Sequence, residues 1–412
     1  MELLFILGGT LIGIVLGTIT GLIPGLHVNT VSLMLMGLIF FIDPLPLAAI
    51  IMAMAITHTL WNFVPSILLG APDASTALSV LPGHQLLLEG RGAEAIYLTV
   101  AGGVGAVMIS VCMLPLIVIG MPYVYGLIHP YMHFLLFIIA AIMIFSEKGH
   151  VKRGYAFTCF MLSGILGYMM FNMFTLSSRP PIVLPGGPNV FFPLFTGLFG
   201  LSTLIISLNK RVRIPAQVVY THGIKKSIAV FGAIKSFFSG MVVGTLPGIG
   251  SAQAAVLAQQ VTGKKDTDEF LVTVGGINTV VALFSLVSLY TISKARSGAA
   301  IAVDQVLGSF GPNELLLLVG VVLFATGISA ILVLKSIGPA ISFLKRFNYA
   351  MITMVIIIAL IFGVGLLTEF RGILVLFTAT AIGMLAPLLG VRRSNLMGVL
   401  MLPLILFYAG IV

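Results

Sequence analysis

The chain is written as long apolar runs separated by short polar breaks. Apolar stretches at roughly 155–175, 190–208, 313–334, 348–367, 372–390 and 395–411 approach or reach the ~20 residues a helix needs to cross a bilayer. Within them the apolar positions are continuous, as in Met351–Leu367, and do not alternate with polar ones as strands of a transmembrane barrel would. The pattern predicts an all-α polytopic membrane protein with roughly ten to twelve helices.

Composition sharpens this picture. The 412 residues are 59% hydrophobic and 8% charged, with a mean hydropathy of +1.18. Soluble domains carry about 25% charged residues, so the bilayer is the solvent that suits this chain. The two cysteines, Cys112 and Cys159, sit in apolar runs and offer neither a disulfide framework nor a thiolate metal cluster. The net charge of +9 is not a nucleic-acid footprint, because the basic residues fall in short clusters between spans, where membrane topology places them.

Those clusters set an orientation. Lys148/Lys152/Arg153, Lys210/Arg211/Arg213 with Lys225/Lys226, Lys264/Lys265, Lys345/Arg346 and Arg392/Arg393 are expected on the cytoplasmic side of the plasma membrane. Residues 1–90 contain no Lys or Arg, which suits an external N-terminus, and counting spans leaves the C-terminus outside too. The clusters agree when the segments around Pro24 and Pro247 enter the membrane and return to the same side.

Those two segments are an internal repeat. Gly17-Thr-Ile-Thr-Gly21-Leu-Ile-Pro24-Gly25 and Gly240-Met-Val-Val-Gly244-Thr-Leu-Pro247-Gly248 share the pattern G-x-x-x-G-x-x-P-G at an offset of 223 residues. The same offset sets Ala71–Leu78 opposite Lys294–Ile301, both rich in small and polar residues. Because 89–94 is expected inside and the matched 312–317 outside, the halves run in opposite directions. This predicts an inverted-topology repeat with paired broken or re-entrant helices at the Pro-Gly motifs, an architecture of secondary transporters. The first half is 1–210, with its Pro-Gly motif at 17–25 and its small, polar segment at 70–84. The second is 211–412, with the counterparts at 240–248 and 293–300.

Proline removes a backbone donor and glycine opens unusual angles, so a helix breaks at such a motif. The freed N–H and C=O groups cannot be satisfied by hydrocarbon and need a polar cavity. A half-helix N-terminus then offers N–H groups and a positive dipole to an anion. Polar residues follow both breaks: His27, Asn29 and Thr30 after Gly25, and Gly250, Ser251 and Gln253 after Gly248.

With these motifs, the stretch Gly70-Ala-Pro72-Asp73-Ala-Ser75-Thr76-Ala-Leu-Ser-Val-Leu-Pro82-Gly83-His84, and Lys294-Ala-Arg296-Ser297-Gly298, the chain resembles the large membrane subunit of tripartite tricarboxylate transporters, the TctA-type family. It is most similar to a compact, archaeal-like branch: it is shorter than the usual large subunit, and His27 departs from a common P-G-x-G continuation. The resemblance implies uptake of citrate-like carboxylates driven by an ion gradient, Na⁺ or H⁺, with no other cofactor. It also implies a small membrane subunit and an extracytoplasmic substrate-binding protein as companions. A homo-oligomeric assembly is compatible with it.

Ionisable groups at membrane depth are functional candidates. Asp73, able to hold a proton or a sodium ion, lies in the first small, polar segment, and Lys294 and Arg296 lie in the matching one. Arg suits bidentate carboxylate capture. The candidate substrate site is therefore Pro24, Gly25, His27, Asn29, Thr30, His58, Asn62, Ser75, Thr76, Pro247, Gly248, Gly250, Ser251, Gln253, Asn278, Lys294, Arg296 and Ser297, with Asp73 as the coupling residue. No metal site is expected, since Pro130 interrupts the His129/His133 pair and no third ligand is near. No nucleotide-binding G-x-x-x-x-G-K-[ST] is present, and Asp73 and Asp304 carry no catalytic motif, so a carrier rather than an enzyme is expected. A flippase for a polyprenyl-phosphate lipid is the alternative, since paired breaks and basic residues also suit a phosphate headgroup.

Overall fold

The computed structural model describes residues 2–23, 28–69, 76, 80–173, 191–209, 217–218, 225–245, 251, 254–255, 258, 266–308, 310–346 and 349–411. Among the described residues every regular element is helical. In chain order these are α1 (Glu2–Leu22), α2 (Val28–Leu35), α3 (Pro44–Trp61), α4 (Phe63–Leu69), α5 (Val80–Leu88) and α6 (Gly92–Cys112). There follow α7 (Leu114–Ile128), α8 (Met132–Phe145), α9 (His150–Met173), α10 (Phe191–Phe195) and α11 (Ser202–Asn209), the last two joined by a π-helical turn at Thr196–Leu201. The chain continues through α12 (Lys226–Thr245), α13 (Thr267–Ile292), α14 (Gly298–Leu307), α15 (Pro312–Arg346), α16 (Tyr349–Leu388) and α17 (Gly398–Tyr408). Eight helical stretches among the described residues are long and apolar enough to cross a membrane, with four shorter apolar ones beside them.

The helix ends follow from local sequence. Pro44 opens α3, where its fixed φ suits the first turn and its missing N–H is not needed. The Asp266 carboxylate caps α13, accepting from the backbone N–H groups of Asp268 at 2.9 Å and Glu269 at 3.4 Å. The two acidic residues then sit favourably at the positive end of the helix dipole. At its other end α13 stops at Ser293, which takes a left-handed φ of 52°.

The helices form two compact units. One gathers α1–α6, the bulk of α7, and α12–α15; the other gathers α8–α11, α16 and α17. In the first unit, helices 223 positions apart pack through matching residues. A side chain at Gly17 would strike Thr57, and one at Gly240 would strike Val280; Gly21 lies against Trp61, and Gly244 against Phe284. Gly9 and Gly232, eight residues before Gly17 and Gly240, repeat the relation against Pro46 and Glu269. The G-x-x-x-G spacing thus serves the same close helix pairing twice, α1 with α3 and α12 with α13.

The same unit also ties one sequence half to the other. Gly102 and Gly103 on α6 press on Val272 and Thr279 of α13, while Gly275 presses on the Thr99 backbone. Thr57 of α3 and Ser329 of α15 share a 2.7 Å hydroxyl hydrogen bond. At the start of α6, Arg91 holds Glu94 through two hydrogen bonds of 2.8 and 2.7 Å and lies 3.8 Å from Asp268 of α13. The first turns of α6 and α13 are therefore neighbours, and Lys235 of α12 adds an ion pair with Glu269 of α13.

The second unit is built from both halves as well. On α9, Gly164 lies against Leu402 and Gly167 against Val399, while Gly398 of α17 meets the Phe160 carbonyl. The π-helical turn crosses α16 in the same manner, Gly197 against Ala379 and Gly383 against Leu198. The 40-residue α16 bends sharply near its middle. The Ile373 side chain comes within 3.3 Å of where a Gly365 Cβ would stand, although eight residues of straight helix rise about 12 Å. Residues 368–371, between the apolar stretches 348–367 and 372–390, thus lie within continuous helix. A buried carboxylate also joins the halves here: Glu147 accepts from the Arg392 backbone N–H at 2.8 Å and from Asn395 Nδ2 at 3.1 Å.

Candidate functional site

The described candidate residues lie in the first unit, and the site is assembled where α3 and α13 lose their regularity. Pro65 has no N–H to give the Trp61 carbonyl four residues back, so helix is interrupted at Asn62 between α3 and α4. His58, one turn earlier, is buried with its Nδ1 at 3.1 Å from Thr20 Oγ1 of α1. The Asn62 side chain is buried too and meets Asn278 of α13, whose Nδ2 donates to Asn62 Oδ1 at 3.2 Å and to the Thr59 carbonyl at 3.1 Å. Asn62 and Asn278, from opposite halves of the sequence, are therefore joined by a direct amide–amide contact, while the His58 ring meets Thr20.

Seven residues, about 10 Å of helix, separate Asn278 from Ser285 along α13. Ser285 Oγ accepts the Arg296 backbone N–H at 3.0 Å, and Ser288 Oγ donates to the Lys294 carbonyl at 2.9 Å. These two serines hold the irregular segment 293–297 against the last turns of α13. Ser297 then caps α14, its Oγ accepting from the Ala300 N–H at 3.2 Å. Of the two cations singled out in this segment, Lys294 is exposed. Arg296 differs: its guanidinium lies 5.5 Å from the centre of the Tyr125 ring, and its Nε and Nη2 are buried without a hydrogen-bond partner among the described residues.

Two further buried side-chain atoms of this unit, Trp61 Nε1 and Ser32 Oγ, also have no hydrogen-bond partner among the described residues. Thr76 and Ser251 are buried. The side chains of Asn29 and Thr30, together with Pro24, Gly25, His27, Asp73, Ser75, Pro247, Gly248, Gly250 and Gln253, lie outside the described residues. Among the described residues no group of three potential metal ligands gathers.

Sequence reasoning missed Ser285, Ser288 and Tyr125. Ser285 was reachable, because it stands 223 positions after Asn62, so the offset that aligned the Pro-Gly motifs pairs the two. Tyr125 carries no such signal, since an aromatic residue in an apolar run is ordinarily packing.

Buried donors left unbonded among the described residues of a helical unit can satisfy an anion taken from water. The chain matches the family described as "Tripartite tricarboxylate transporter TctA family" over residues 7–398. It is also 29% identical over 410 residues to the uncharacterized protein MJ1079 of Methanocaldococcus jannaschii, covering 97% of this chain and 98% of that one. No solved structure was found to match it. The chain belongs to the tripartite tricarboxylate transporter TctA family.

Proposed function

We propose that the protein is an ion-coupled permease for small organic anions, di- or tricarboxylates such as citrate. The observation that carries this reading is Arg296: its guanidinium lies 5.5 Å from the centre of the Tyr125 ring, and its Nε and Nη2 are buried and unbonded among the described residues. Leaving such donors unpaired is expensive, and a carboxylate answers them in fork geometry. The matched glycine contacts 223 residues apart support an inverted repeat of halves 1–210 and 211–412, with re-entrant breaks at Pro24 and Pro247. In this reading Asp73 couples substrate to Na⁺ or H⁺, and the carrier works in the plasma membrane with both termini outside. A small membrane subunit and an extracytoplasmic binding protein are its companions by family.

In this reading the carrier works by alternating access at a site between the repeats, and the first unit, whose contacts interleave both halves, keeps its internal packing through the cycle.

The test is ligand-induced stabilisation of purified protein in detergent, with citrate, succinate and a polyprenyl phosphate, each with and without sodium at two pH values. Citrate at ~100 times its dissociation constant adds about 2.7 kcal/mol of stability. Arg296→Ala is expected to abolish the citrate shift while the unliganded protein still folds. An unchanged citrate affinity in that variant removes Arg296 from the site, and stabilisation by the polyprenyl phosphate alone replaces the carboxylate reading with the lipid one.

A further inference from the structure

Trp61 is the chain's single tryptophan, and its setting is unusual for that residue. Membrane tryptophans commonly rest at the interface, where the indole N–H reaches water. Trp61 is instead 6% exposed, at the last turn of α3, with Nε1 unbonded among the described residues. Packing accounts for its ring, since a Cβ on Gly21 would stand 2.6 Å from the Trp61 Cβ. The matched position in the second half shows that packing does not need the N–H. There Gly244 meets Phe284, a ring without a donor. A buried donor left unbonded among the described residues is destabilising, and its presence in one half alone singles it out as an anchor for a ligand oxygen. Its neighbour Asn62 binds Asn278, at one end of the stretch of α13 whose other end, Ser285, holds Arg296.

We propose that the indole N–H of Trp61 is a second anchor for the transported anion, donating to a carboxylate oxygen while Arg296 takes another carboxylate of the same molecule. The inference rests on the carboxylate-carrier reading and deepens it to a two-point site that selects substrates with two or more separated carboxylates. An indole donates one hydrogen bond and accepts none, so this anchor recognises an oxygen acceptor and contributes no charge.

The single tryptophan supplies the experiment. Citrate is titrated into the full-length protein in detergent, following indole emission and thermal stability in the same samples. The wild-type emission is expected to shift and to saturate with the dissociation constant given by stabilisation. Trp61→Phe, which keeps a ring at that position as Phe284 does in the other half, is expected to weaken citrate binding about ten-fold, as loss of a hydrogen bond to a charged group implies. Acetate, with one carboxylate, is expected to lose no affinity in the variant. Citrate stabilisation with unmoved emission overturns the assignment without any substitution, and so does an unchanged citrate affinity in Trp61→Phe. If citrate binds, Trp61→Phe weakens it and Arg296→Ala does not, the Trp61 anchor stands and the Arg296 reading falls. If no carboxylate stabilises the wild type, both fall together.

Discussion

Arg296 is held in place through its backbone rather than its charge. Ser285 binds its N–H, Ser288 binds the carbonyl two residues earlier, and Ser297 starts the following helix. On the proposed reading this backbone is ordered before any anion arrives, which lowers the entropic cost of binding. Ser285→Ala should loosen the segment and weaken citrate binding by about 1 kcal/mol, the typical net value of one hydrogen bond, or roughly five-fold. Titration of the variant by ligand-induced stabilisation checks this, and the melting point without ligand should move little. Arg296 was legible in the sequence as an arginine in an apolar chain. That its partner Lys294 faces outward was not, because two residues along an irregular segment can reverse a side chain without any change in composition.

At the scale of elements, the glycines decide which helices touch. Gly102 of α6 has the Val272 carbonyl where its Cβ would be, whereas Gly120 of α7 has nothing within 4 Å. Gly102→Ala should therefore destabilise the protein by about 1–3 kcal/mol through forced separation of α6 and α13. Gly120→Ala should be neutral or stabilise by up to about 1 kcal/mol through helix propensity. Thermal unfolding of the two variants side by side reads the contrast. The α1–α3 and α12–α13 pairings were half-written in the repeated G-x-x-x-G, which marks a face for close approach. The α6–α13 crossing was not, because nothing in Gly102-Gly103 or Gly275-Gly276 names its partner, and the two meet only by tertiary packing.

At the scale of the whole molecule, the two sequence halves are interlocked. The Thr57–Ser329 hydrogen bond crosses between them inside the site-bearing unit, so its two oxygens mark a place where a covalent link should change nothing if that unit keeps its internal packing. The variant Thr57→Cys/Ser329→Cys, with Cys112 and Cys159 replaced by Ala, should form a disulfide and still take up labelled citrate in proteoliposomes. Loss of uptake on oxidation, restored by a reductant, would instead mean that the halves part during transport. The sequence by itself determined the solvent, the helical class and the family resemblance, because bilayer burial demands continuous apolar runs, and it carried the repeated glycine spacing that the α1–α3 and α12–α13 contacts use. Only the tertiary structure decided that each compact unit draws on both halves, that Asn62 meets Asn278, and that Arg296 and Trp61 keep buried donors unbonded among the described residues. Those facts depend on which side chains are brought together across more than two hundred residues of chain, and hydropathy, which reports where a residue sits in the membrane, carries no record of its neighbour.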